Sequence, residues 1–270
     1  MDSLKISKLN FHKFIETLII IIPLFLITGP FLTDLAFSIV ALYFFFKYRK
    51  IDNSIYLVNY FFYIFLFFWA VILISSILAV DRNLSLSNTF FYFRFFLFSI
   101  CFLYILNNNE NLIKKLFYVL IFCYSILFFD SIFQSYFKIN LIGMPINQEY
   151  EGRRISSFFG DELVLGSYIA RLSPLIMGIF FYLSSKKKFI NENYFIIFLF
   201  FSEIAIFLSG ERTALLLYNF FIVLLVIFIN DYKRLKIKII FIFISSLVLL
   251  FSLDIPSKKR ILDETLRHLK

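Results

Sequence analysis

The feature that most constrains this chain is a series of nine apolar runs, separated by short polar segments. They are Phe14 to Thr28, Leu32 to Phe46, Val58 to Val80, Asn88 to Leu106, Ile113 to Phe137, Leu163 to Leu183, Tyr194 to Leu208, Thr213 to Ile229 and Ile237 to Phe251. A helix that crosses a bilayer needs about 20 mostly apolar residues. The runs are too long for strands and do not alternate apolar with polar. The expected fold is therefore all-α: a polytopic transmembrane helix bundle of about nine spans, forming one helical membrane domain over residues 1–270. Composition agrees. Phe supplies 42 of 270 residues, which is more than one soluble core can enclose, and 61% of the chain is hydrophobic. Disorder, a nucleic-acid module and a disulfide scaffold are excluded on the same ground.

The first two runs are short and are separated by Gly29-Pro30, which reads as a hairpin turn. The first run is not expected to be a cleaved leader. The earliest alanine is Ala36, so no small-residue cleavage site follows it.

Charge then predicts orientation. The net charge of +9 lies mostly in short segments. Lys5, Lys8 and Lys13 fall on one side, with Lys47, Arg49 and Lys50, Lys114 and Lys115, Lys186 to Lys188, and Lys233, Arg234, Lys236 and Lys238. The four alternate loops carry only Arg82, Lys138, Arg153, Arg154 and Arg212. The positive-inside rule places the N-terminus in the cytoplasm and the C-terminus outside, where residues 252–270 begin a periplasmic loop.

Four ionisable residues sit within runs: Arg94, Asp130, Arg171 and Glu203. Facing lipid, each would cost about 2.5–3.5 kcal/mol, so each is expected to face the interior and find a partner. At 1.5 Å per residue all four fall roughly 9–12 Å below the outer surface. That common depth suggests one polar cluster, with Gln134, Ser167 and Ser202 beside it. The cluster reads either as two structural ion pairs or as the floor of a site open to the outside. Cys101, Cys123, His12 and His268 show no metal-type spacing, and no cofactor is expected.

Two outer segments carry arginines. One runs from Glu151-Gly152-Arg153-Arg154 through Ser156-Ser157-Phe158-Phe159-Gly160-Asp161-Glu162 to Leu163. The other is the turn Ser209-Gly210-Glu211-Arg212-Thr213-Ala214. In the second, Gly210 is expected to stop one helix and Thr213 to open the next. Arg212 then sits at a helix N-terminus, which favours an anion, and its planar fork suits phosphate. Arg153 and Arg154 offer a second fork. In the plainer reading Glu211 and Arg212 snorkel at the interface and Asp161 caps the sixth span.

The stretch from Arg154 to Tyr168, running on to Pro174-Leu175, resembles the first signature of the O-antigen ligase family. Ser209-Gly210-Glu211-Arg212-Thr213-Ala214 resembles its second, a Ser-Gly-x-Arg turn between two spans. The motif-bearing part covers residues 153–229. The resemblance implies a glycosyltransferase of the bacterial inner membrane that works at the periplasmic face. Its donor would be a glycan on undecaprenyl diphosphate and its acceptor lipid A–core. The related O-antigen polymerases would instead use a growing glycan. Neither metal nor nucleotide sugar is implied. Arg212 and Arg153 or Arg154 would hold the diphosphate. The family's histidine loop has no match here: His268 lies outside any such motif, so the chain reads as truncated before its acid–base machinery. The competing class is a transporter or flippase for a polar or lipid-linked substrate. That class predicts internal repeats, and none is seen.

Overall fold

The computed structural model describes residues 2–48, 60–146, 154–186, 192–229, 233–252, 256–259 and 261. Among them the chain is helical, with no strand and a lone antiparallel bridge between Ile139 and Pro145. The long helices are α1 (Asp2–Thr28), α2 (Pro30–Tyr48), α3 (Tyr60–Ile77), α4 (Arg82–Asn108), α5 (Asn111–Phe137), α6 (Leu165–Ser185), α7 (Glu192–Ser209), α8 (Arg212–Phe228) and α9 (Lys233–Ser252). A single turn, α10 (Pro256–Lys259), follows. Each apolar run overlaps one helix, although α1 begins at Asp2 and α4 at Arg82, well ahead of the runs expected at Phe14 and Asn88. Seven helices, α1 to α7, are long and apolar enough to cross a membrane. Helix α8 is apolar but only 17 residues long, and α9 opens with Lys233, Arg234, Lys236 and Lys238.

The chain packs as two compact units, Met1–Leu116 and Phe117–Lys270. In the first, α2 packs on α1 and α4, and α3 packs on α4. The α1–α2 hairpin turns at Gly29, whose φ of 131° excludes a side chain in practice. Gly29 N–H closes α1 on Phe25 O at 3.2 Å, and Pro30 opens α2, where its missing N–H costs nothing. The core joins Ile15, Ile19, Val40, Phe44, Ile100 and Ile105. Aromatic rings fill the α3–α4 interface: Phe65 stacks on Phe96 at 4.4 Å. The chain's one tryptophan, Trp69 on α3, donates from Nε1 to Thr89 O on α4 at 3.0 Å. The outer face of α3 stays apolar, with Phe67 73% exposed. Water would not tolerate such a face, but lipid does.

In the second unit α6 packs on α7 and α8, while α9 and α10 pack on α7. Helix α6 is amphipathic. Leu165, Ile169, Ile176, Phe180 and Leu183 recur at helical spacing on its buried face, with Arg171 and Leu175 on the other. Aromatic side chains bridge α5 to its neighbours. Tyr124 donates to Ile169 O at 2.6 Å, and Phe128 stacks on Phe201 at 4.3 Å.

Candidate functional site

The two arginine-bearing segments meet in the second unit, and the contact is made by Glu211. Helix α7 ends at Ser209. Gly210 takes a φ of 67°, the left-handed conformation that releases a helix. Helix α8 then begins at Arg212, with Glu211 at the capping position. The sequence reading placed that opening at Thr213; Arg212 remains at the N-terminus of the new helix, as expected. Glu211 makes no side-chain bond to its own helix. Its carboxylate reaches across to α6, accepting from Gly166 N at 2.9 Å and from Ser167 Oγ at 2.6 Å. Those groups belong to the first turn of α6, whose own capping residue, Val164, cannot bond them.

The approach is close. A Cβ built on Gly166 would stand 2.4 Å from Ser209 Oγ, 3.1 Å from Glu211 Cβ and 3.2 Å from Ala214 Cβ. Gly166 is thus the residue that lets the two segments touch. This corrects the plainer sequence reading. Asp161 is exposed, and the buried Glu211 caps the sixth span in its place. No local pattern reveals a carboxylate that caps a helix 45 residues away.

A second carboxylate anchors the segment from below. Asp130 on α5 is fully buried and accepts from Leu141 N at 2.7 Å and from Ser157 Oγ at 2.5 Å. Gln134, one turn further along the same face, accepts from Ser157 N at 2.7 Å. Asn140 adds a bond from Nδ2 to Ser157 O at 3.0 Å. These bonds hold Ser157 at a φ of 55°, a conformation uncommon outside glycine. The shared face of Asp130 and Gln134 was legible from their spacing. Their partner is not an arginine but the loop between α5 and α6.

Of the expected diphosphate-binding residues, Arg154 donates from Nη2 to Leu163 O at 2.7 Å and so sits against the start of α6. Arg212 is half-buried on the first turn of α8. Arg153 and His268 lie outside the described residues. The other ionisable residues have separate surroundings. Arg94 belongs to the first unit and pairs there with Asp34 at 2.8 Å. Asp34 lies within an apolar run and was missed, as was Glu16, which pairs with His12 at 3.4 Å. Glu203 is buried on α7 against Ser246 of α9. Arg171, expected to face inward, is exposed on the outer stripe of α6; its long stem can carry the guanidinium toward an interface. Among the described residues no three His, Cys, Asp or Glu side chains gather where they could hold a metal ion.

Between α5, α6 and α7 lies a cavity of about 850 Å³. Phe117, Ile121, Phe129, Ile176, Phe195 and Phe198 dominate its wall. Three of its hydroxyls are already spent on helix carbonyls: Tyr124 on Ile169 O, Ser125 on Ile121 O and Ser202 on Phe198 O. These three hydroxyls have no proton left to give a ligand; Tyr118 and Tyr194 add hydroxyls of their own to a wall that is otherwise hydrocarbon. A scan of protein-family models, a search of curated proteins and a search of solved structures each find no match to this chain.

Proposed function

We propose that the chain is a membrane glycosyltransferase of the O-antigen ligase type. In this reading it crosses the bacterial inner membrane nine times, with its N-terminus in the cytoplasm and its C-terminus in the periplasm. It accepts a glycan carried on undecaprenyl diphosphate and passes it to lipid A–core; a polymerase would pass it to a growing glycan. The observation that carries the proposal is the contact of Gly166 and Ser167 with Glu211. It joins the two segments that resemble the family's signatures, and each brings an arginine.

The chemistry follows from charge. Breaking the bond between sugar and diphosphate leaves negative charge on the departing oxygens. Guanidinium groups fixed beforehand lower the cost of that charge. Glu211 aids by occupying the α6 terminus itself, so that α8, which carries Arg212, keeps its first turn for another anion. The mainly apolar cavity among α5, α6 and α7 offers the prenyl chain a lining of aromatic rings and aliphatic side chains.

Arg212→Ala, and separately Arg154→Ala, should weaken undecaprenyl diphosphate binding by the full chain in nanodiscs by about 10- to 100-fold, the scale of one charge-assisted bond. Both should remove the glycan-bearing lipid A–core bands from a gel of whole-cell lipopolysaccharide, with the protein's abundance in membranes unchanged. A normal band ladder from Arg212→Ala cells would end the reading.

A further inference from the structure

Glu203 takes no part in the site above, yet it is 2% exposed and lies inside the packing of α7, α8 and α9. Its Oε2 contacts Ser246 Oγ on α9, while its Oε1 has no hydrogen-bond partner among the described residues. It borders a small void lined by Leu199, Tyr218, Ile222, Ile239 and Phe243.

Counting protons decides its state. A serine hydroxyl has one hydrogen to give. Ser246 Oγ stands 2.8 Å from Phe243 O in its own helix, the usual recipient for a helical serine. The remaining contact, to Glu203 Oε2, then needs a hydrogen from the carboxyl. No neighbouring hydroxyl offers another: Tyr218 donates to Leu199 O at 2.8 Å, and Ser202 to Phe198 O at 2.8 Å.

Among the described residues no compensating charge faces it either. Neither ion pair among the described residues includes Glu203. Tyr218 is the titratable group that α8 brings to the void, and α9 brings none to its lining. On α6, Tyr168 packs on Tyr124 and Phe159, and Arg171 is exposed. From α10, Ser257 is spent on Leu208 O. An ionised carboxylate would leave a charged oxygen against isoleucine and phenylalanine, with its lost hydration unreplaced.

We propose that Glu203 is carried as the neutral acid, donating from Oε2 to Ser246 Oγ, so that α7 and α9 share an internal proton-binding site. The ligand is a proton. Its departure leaves a carboxylate toward which, among the described residues, the Ser246 hydroxyl alone can turn, at the expense of Phe243 O. Asp130 is the internal contrast, because a backbone N–H and a hydroxyl both donate to it and it needs no proton.

The site is independent of the transferase reading and is tested without it. Infrared difference spectra of the full chain in lipid nanodiscs at neutral pH should show a protonated-carboxyl C=O band. The band should vanish in Glu203→Gln and persist in Asp130→Asn. If Glu203→Gln does not accumulate, Ser246→Ala removes the acceptor and should shift the band without abolishing it. Dicyclohexylcarbodiimide supplies a chemical check. The carboxyl O–H adds across one C=N bond, and the acyl group then migrates from oxygen to nitrogen with nothing leaving. Peptide mass spectrometry should find that adduct on Glu203 and not on Asp130. A carboxylate signature for Glu203, or a C=O band indifferent to both Glu203→Gln and Ser246→Ala, overturns the proposal.

Discussion

The two units solve one problem, polar groups among apolar helices, in opposite ways. The first sets side chain against side chain near its helix ends. Arg94 meets Asp34, which is half exposed, and His12 meets Glu16, which also accepts from Asn109 Nδ2 at 3.1 Å. Lys47 donates to Tyr43 Oη at 2.7 Å and lies over the Tyr104 ring. The second unit buries its carboxylates and answers Asp130 and Glu211 with neutral donors: Leu141 N and Ser157 for one, Gly166 N and Ser167 for the other. An exposed ion pair contributes little, because its partners keep good alternatives. A buried carboxylate with fixed donors has none, so removing it strands every group that leaned on it. The second strategy demands a unique geometry, and a binding site needs the same thing.

Three experiments test that contrast, and the largest effect belongs to Gly166. Gly166→Ala places a methyl group where Ser209 Oγ now stands and forces α6 from α8. Overpacking of this kind costs about 1–3 kcal/mol. The midpoint of thermal unfolding in detergent should fall, and adding Ser209→Gly should recover part of the loss. Glu211→Ala comes next. It leaves Gly166 N–H and the Ser167 hydroxyl without their acceptor, for about 1–3 kcal/mol. Glu211→Gln keeps one carbonyl acceptor and should lose less, as the same unfolding measurement would reveal. The smallest effect is expected at the Arg94–Asp34 pair. A double-mutant cycle with Arg94→Ala and Asp34→Ala should give a coupling of about 0–1 kcal/mol. A coupling as large as the Glu211 loss would erase the difference between the units.

Much of the helix order was legible before any coordinates, because hydropathy is a local property and each helix carries its own. The Gly29-Pro30 turn and the common face of Asp130 and Gln134 belong to the same kind of information. A residue's place along its helix is a local property too, but its direction around the axis is not. Arg171 faces away from the packed side of α6, because the buried stripe passes through Ile169, Ser173 and Ile176 instead. Asp34 and Glu16 escaped notice because they lie near span ends, where a charge arouses no suspicion. The role of Glu211 was out of reach for a different reason. Its partners, Gly166 and Ser167, are defined only once α6 and α7 have packed.

The solitary indole at position 69 has a practical corollary. It is buttressed by Phe90 and Phe93 and tethered to the carbonyl of Thr89, all within the first unit. Tryptophan emission, excited selectively over the tyrosines, will therefore report on the contact of α3 with α4. The second unit holds no indole, so a tryptophan-based assay of ligands near Arg212 needs one placed there.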